Sequence, residues 1–260
     1  MSGLTWIRYH TSSTILGESF GAVVADSTLI NGRGRYADGP STALSVINVQ
    51  PGLRYRFRLV SISCDPSFNF TIDGHRMTII EVDGTEVDPV EVDSIPVLVG
   101  QRYSVIVTAN QTVGNYWVRA STDQSSSFTN GLNSAILRYA GASDEDPTSS
   151  PGPYEISFDE GKLHPLINPG APGIPEIGQA DVNIQLAVGL NSSDYFTFNN
   201  VSFVDPPIPV LLQILSGAQQ ASQLLPNGSV YVLPSNKTIE LSFPNPTAAP
   251  GGPVSATFVT

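Results

Sequence analysis

Residues 54–59 read Arg-Tyr-Arg-Phe-Arg-Leu. In an extended chain Tyr55, Phe57 and Leu59 fall on one side and Arg54, Arg56 and Arg58 on the other. That is the period of a half-buried strand, apolar inward and cationic outward. The pattern recurs at Phe68–Ile72, Met77–Val82, Tyr103–Val107 and Tyr116–Val118. Turn chemistry separates these runs, at Asp73-Gly74, Asp83-Gly84, Val99-Gly100 and Val113-Gly114. Short strands at this spacing predict an all-β sandwich or barrel with antiparallel pairing. With 21 Pro, 23 Gly and only 13% charged residues, the 260-residue chain suits such a turn-rich fold.

Around that centre, strands are expected at Leu4–Tyr9, Thr28–Asn31, across Leu44, Val46 and Val49, and at Ser134–Tyr139. Asn31-Gly32-Arg33-Gly34-Arg35 reads as a tight turn. These elements make one domain, 1–140. A linker, 141–159, follows; its opening GASDEDPTSSPGP is acidic and rich in Ser and Pro. Residues 160–260 carry fewer strand signals, at 182–188, 195–198, 229–233 and 238–243, with a short helix predicted over PVLLQILSG and a last strand within VSATFVT. That is too few for a closed barrel, so an incomplete domain with unpaired edges is expected.

A formal net charge of −11 argues against nucleic acid as a partner, because no basic surface is available to displace counterions from phosphate. The arginines at 54–58 read as an outward face balanced by neighbouring carboxylates. No stretch is apolar enough for a membrane span, and Met1–Ser13 has no long apolar run, so no signal peptide is expected. Six Asn-x-Ser/Thr sequons, at Asn69, Asn110, Asn191, Asn200, Asn227 and Asn236, nevertheless suit a secreted glycoprotein. The single cysteine, Cys64, implies a disulfide partner on another chain or on a further piece of polypeptide.

A catalytic constellation is not apparent. His10, His75 and His164 are far apart and unpaired, and Cys64 has no neighbouring histidine. His75 reads as a hydrogen-bonded turn residue. No Gly-x-Ser-x-Gly motif occurs. Glu81, Asp83, Glu86, Asp88, Glu91 and Asp93 alternate along a strand–turn–strand and read as a solvated acidic face rather than a glycosidase pair. Asp65 reads as a turn residue.

The segments TLINGRGR (28–35), PGLRYRFRLVSISCDP (51–66), IDGHRMTIIEVDG (72–84), VDSI (92–95), GQRYS (100–104), NYWVRA (115–120), GLNSAILRY (131–139), PVLLQILSGA (209–218) and LPNGSVYVLP (225–234) together resemble the fungal laccases. These are blue multicopper oxidases that oxidise phenols and reduce oxygen. The resemblance runs from about Tyr9 to Pro253. It implies a Greek-key cupredoxin-like barrel or sandwich for residues 1–140, like the second of the family's three cupredoxin domains. Residues 160–260 resemble the first part of the third.

By the same resemblance, copper is the family's cofactor and phenolic small molecules are its substrates. The His-x-His pairs and the His-Cys-His run that hold copper have no counterpart here, since Val-Ser-Ala-Thr-Phe-Val-Thr follows Pro253. No copper is therefore expected on this chain. Met1–Arg8 also departs from the family pattern. Cys64 matches a disulfide cysteine whose partner lies in the family's first domain, so the missing laccase domains on another chain are an expected partner. Asp65 matches the carboxylate that binds the phenol hydroxyl and helps take up its proton. Phe203 resembles an apolar pocket wall, and Pro250 and Gly251 the loop before the copper-binding run. Asp123 and Gln124 stand where the family often has Asn and Phe. The resemblance implies secretion and an oxidase that is inactive alone; the alternative is a copper-free module that binds aromatics, glycans or a partner chain.

Overall fold

A computed structural model describes residues 27–63, 67–122, 127–153, 155–156, 158–167, 170, 173–174, 176–192, 195–220, 223–225 and 228–243, with the backbone of 258–259. The strand expected at Leu4–Tyr9 lies outside these residues. The chain divides into two compact units, 1–169 and 170–260.

In the first unit the strands are β1 (Val46–Val49), β2 (Arg54–Val60), β3 (Phe68–Ile72), β4 (Met77–Val82), β5 (Thr85–Val92), β6 (Ser94–Val97), β7 (Arg102–Thr108), β8 (Asn115–Thr122) and β9 (Ser134–Tyr139). They form a five-stranded sheet, β1-β9-β8-β3-β6, and a four-stranded sheet, β2-β7-β4-β5. Phe70, Ile95, Val118 and Leu137 of the first sheet and Leu59, Ile79, Val105 and Val107 of the second share one buried cluster. Sheet packs on sheet, and the alternation read from sequence sets which side chains meet. In β2 the three arginines are exposed and Leu59 is buried, as the period requires.

Two turns show why the short connections are where they are. At Asp83-Gly84, φ is 49° and 90°, and Val82 pairs directly with Thr85. A two-residue hairpin with both central residues left-handed fits the twist of its strands, and Asp-Gly tolerates that backbone. Asn31 and Gly32, with φ of 52° and 76°, close a smaller turn in which Ile30 and Arg33 exchange both backbone hydrogen bonds. That exchange is the only ladder pairing of the expected strand Thr28–Asn31 among the described residues.

Pairing is not wholly antiparallel: β1 runs parallel to β9. Strand direction depends on which distant strand becomes the neighbour, and the alternation within a strand carries no record of that. The edge of the four-stranded sheet is covered in part by residues 164–166. Asp88 N donates to the His164 carbonyl at 2.8 Å and Leu166 N to that of Glu86 at 3.0 Å, leaving fewer open backbone groups.

The second unit is smaller in its described parts. β10 (Val182–Gln185) pairs parallel with β13 (Ile239–Ser242), which pairs antiparallel with β14 (Phe258–Val259). β11 (Val188–Leu190) and β12 (Phe196–Phe198) form a hairpin. The predicted helix is α1, Val210–Leu215. The run 182–188 is two strands rather than one, and 229–233 is not a strand: its β-favouring residues have no ladder partner among the described residues.

Candidate functional site

The most deeply built polar cluster of the first unit begins at the turn between β3 and β4. Gly74 has φ of 71°, and this sharp reversal aims Asp73 and His75 into the protein. Asp73 meets Arg119 of β8 in a two-pronged pair, Nε to Oδ1 and Nη2 to Oδ2, each 2.7 Å. Both side chains are almost wholly buried, at 2% and 4% exposure. Ser149 Oγ donates to Asp73 Oδ2 at 2.7 Å, and Arg119 Nη2 also donates to the Ser149 carbonyl at 3.2 Å. The Arg119 guanidinium lies 4.6 Å from the centre of the Phe128 ring. A buried ion pair persists only when its remaining hydrogen-bonding groups are satisfied in this way.

Segment 141–153 supplies part of that satisfaction. Besides Ser149, Asp146 pairs with the buried Arg35, Asp144 lies 2.6 Å from Arg138, and the Ser143 carbonyl accepts from Asn115 at 2.9 Å. Asp144 and Asp146 therefore serve as counter-charges for arginines of the first unit.

His75 sits on the other side of the turn. Its Nδ1–H donates to the Asp73 carbonyl at 2.8 Å, which leaves Nε2 to accept from the Tyr139 hydroxyl at 2.6 Å. Tyr139 in turn accepts from the Gln111 backbone N–H at 3.1 Å. Each donor meets one acceptor only if the imidazole is neutral. Burial lowers the His75 pKa below its ordinary value, against the opposing pull of the Asp73 carbonyl and the Asp73 charge. Burial likewise raises the Tyr139 hydroxyl, offset by the Gln111 N–H. The expectation of a hydrogen-bonded turn histidine holds. A shallow cavity of about 220 Å³ opens beside the turn, lined by Asp73, His75, Arg76, Asp93 and Glu155. Its charges are already engaged: Arg76 lies 3.2 to 3.4 Å from Glu91, Asp93 and Glu155.

The alternating carboxylates behave as an acidic face with local counter-ions. Glu81 pairs with Arg56 and Asp83 with Arg102. Tyr103, buried behind them, has its pKa pushed up to about 12 by burial, with the charges of Glu160 and Asp83 adding to the effect.

Asp65, Cys64, His10, Asn227, Pro250 and Gly251 lie outside the described residues. Phe203 belongs to the second unit and is exposed. It precedes a cavity of about 320 Å³ lined by Val204, Asp205, Pro206, Pro207, Ile208 and Leu224, among others. Asn69, Asn110, Asn191, Asn200 and Asn236 are all exposed. Asn69 projects from β3 between Pro96 and Ser121.

Among the described residues the donors do not fit a copper centre. Both ring nitrogens of His75 are engaged, and His164 is an exposed residue on the β5 edge. Among the described residues no group of three His, Cys, Asp or Glu side chains converges. None of their helices is long and apolar enough to cross a membrane.

The sequence reading missed the Asp73–Arg119–Ser149 cluster. Its signal was an arginine within NYWVRA: Trp117, Val118 and Ala120 are apolar, so Arg119 needed a buried partner.

The defining pattern of the multicopper oxidases (Cu-oxidase) matches residues 8–142. The chain belongs to the multicopper oxidase family. Within it the similarity is to fungal laccases. Laccase-2 of Trametes villosa is 54% identical over 246 residues, 94% of this chain and 47% of that protein. Laccase-2 of Pleurotus ostreatus is 54% identical over 230 residues, 88% of this chain and 43% of that protein. The chain thus spans about half the length of the curated relatives it matches. Among solved structures, the multicopper oxidase Fet3p, described as functioning in iron import, superposes with a TM-score of 0.69, at 24% identity over 94% of this chain and 47% of Fet3p. The laccase of Botrytis aclada gives 0.65, at 24% identity over 86% of this chain and 42% of its own. These superpositions establish the all-β, cupredoxin-like fold.

Proposed function

We propose that this chain is a laccase-family polypeptide that contributes the phenol-facing side of an oxidase and does not oxidise phenols by itself. The observation that carries this reading is the 54% identity to Trametes villosa laccase-2 across 94% of the chain. Copper is the family's cofactor. Because the described donors do not fit a copper centre, the electron-transfer step is assigned to no residue of this chain. Its own contribution is substrate binding, which the resemblance assigns to Asp65, Phe203, Pro250 and Gly251; Asp65 accepts the phenol proton, which lowers the cost of removing an electron. The exposed sequons, with Asn227, carry N-glycans on a secreted product. Cys64 forms its disulfide with the laccase portion that supplies the copper ligands, on another chain or on further polypeptide.

The deciding experiment is elemental analysis of the purified chain, an absorption scan for a blue copper–thiolate band and a phenol-oxidation assay with added copper. The expected result is no stoichiometric copper, no band and no turnover. Near-stoichiometric copper with turnover would overturn the reading of the chain as inactive alone.

A further inference from the structure

The sequon Asn69-Phe70-Thr71 lies within β3, and the fold treats its two polar residues differently. Both alternate with the inward-facing Phe68, Phe70 and Ile72, so they share the outer face of the strand. Asn69 is exposed there, whereas Thr71 is only 3% exposed. The strand is paired on both sides: Asn69 stands between Pro96 of β6 and Ser121 of β8, and Thr71 between Ser94 and Arg119. Ser149 and the Phe128 ring pack on Arg119. A sugar on Asn69 therefore projects into solvent, while the rest of the sequon is held inside the sheet.

N-glycosylation needs more than an exposed asparagine. The transferase binds the whole Asn-x-Ser/Thr segment and grips the hydroxyl at its end. The Asn69 amide nitrogen then attacks the anomeric carbon of a lipid diphosphate-linked oligosaccharide. The new C–N bond replaces the C–O bond to the diphosphate, which leaves with the lipid, and the amide gives up one proton. Residues 69–71 must come free of both neighbours for this to happen. Because β3 is flanked by β8 and β6, freeing it opens the core that Phe68, Phe70 and Ile72 help to fill, and such an opening approaches global unfolding. The sequon Asn110-Gln111-Thr112 offers the contrast. It lies in the loop between β7 and β8, outside both strands, with Asn110 and Thr112 exposed.

We propose that Asn69 is a glycosylation site open only before the first unit folds, and that the folded chain accepts a glycan at Asn110 but not at Asn69. The proposal rests on the reading of the chain as a secreted glycoprotein and adds to it an order of events. The Asn69 glycan is attached before β6 and β8 close on β3, and its exposed position lets the sheet form around it.

The test offers the full chain, made in a bacterial host and so without glycans, to microsomal oligosaccharyltransferase and its lipid-linked donor. The folded parent is compared with V118D/L137D, whose carboxylates destroy the core that Val118 and Leu137 fill. Loss of the parent's circular dichroism identifies that variant as the unfolded substrate, and the parent translated directly into microsomes behind a secretion signal supplies a second one. Occupancy is read at each sequon by peptide mass spectrometry. The expected result is Asn110 occupied in all three, with Asn69 occupied in the unfolded and growing chains but about tenfold or more lower in the folded parent. Equal occupancy of Asn69 in folded and unfolded chains, or a bare Asn69 in every form while Asn110 is occupied, would overturn the proposal. No glycan at any sequon of any form would remove the glycoprotein reading itself.

Discussion

The two units of this chain draw on the same strand chemistry and reach opposite surfaces. In the first, Met77, Ile79, Val105 and Leu137 are wholly removed from water. In the second, Phe196, Leu211 and Leu215 are each about two-thirds or more exposed. The difference does not lie in the residues, since Phe-Thr-Phe at 196–198 alternates as well as Phe-Asn-Phe at 68–70. It lies in what stands opposite: β3 is paired on both sides and faced by a second sheet, while β12, among the described residues, has β11 as its one strand partner and otherwise only the Phe198–Val201 bridge. Alternation specifies that a strand has an apolar face, and a fold protects that face only when another layer arrives.

The sharpest way to break the comparison is to damage the closed unit at its most buried charge. Arg119→Ala leaves Asp73 buried without its cation and should cost about 3–5 kcal/mol, read from the urea dependence of tryptophan fluorescence. Leu137→Ala opens a hole in the shared core and should cost about 2–5 kcal/mol in the same measurement. Gly84→Ala forces a side chain into a backbone of φ 90° and should cost about 1–2 kcal/mol. In the second unit, Phe196→Ser should change stability by less than about 0.5 kcal/mol in the same measurement. A loss comparable to that of Leu137→Ala would mean that the hairpin face is already covered.

The pH dependence refines the same contrast. His75 is held neutral in the folded state, with a pKa below the ordinary value of 6.5. As pH falls through 6.5, the unfolded chain takes up the proton first, so folding loses free energy down to the folded-state pKa. The contribution is complete above 6.5. The neighbours that bear on it are Asp73, paired with Arg119, and the rings of Tyr116 and Tyr139. The expected result is an unfolding free energy that declines between pH 7 and acid conditions, with a shallower slope in His75→Gln. Equal slopes for parent and variant would show that His75 titrates alike in the folded and unfolded chains.

Much of the first unit was legible because its strands are local statements. The bounds expected for β3, β4 and β9 coincide with those observed, each set by an apolar period and a turn pair on one or both sides. The helix over 210–215 followed from the apolar run between Pro209 and Gly217. The strand expected at 229–233 failed for the opposite reason, since β-favouring residues form a strand only where a neighbour completes the ladder. The site was less legible. His75 could be placed in a turn, but its partner Tyr139 lies 64 positions away, and Ser149 is 76 from Asp73.

What the sequence determined alone is the set of faces: which residues of each strand turn inward, where the chain reverses at Asp83-Gly84 and Asp73-Gly74, and the pattern that places it among the multicopper oxidases. Only the tertiary structure decided which faces meet. It made β1 parallel to β9, buried Asp73 against Arg119, turned the acidic segment 141–153 into counter-charge for the first unit, and left the β11–β12 face in solvent. The period of a strand is written in neighbouring residues, whereas partnership is a free energy shared between segments far apart, and one strand's sequence carries only its own half of that sum.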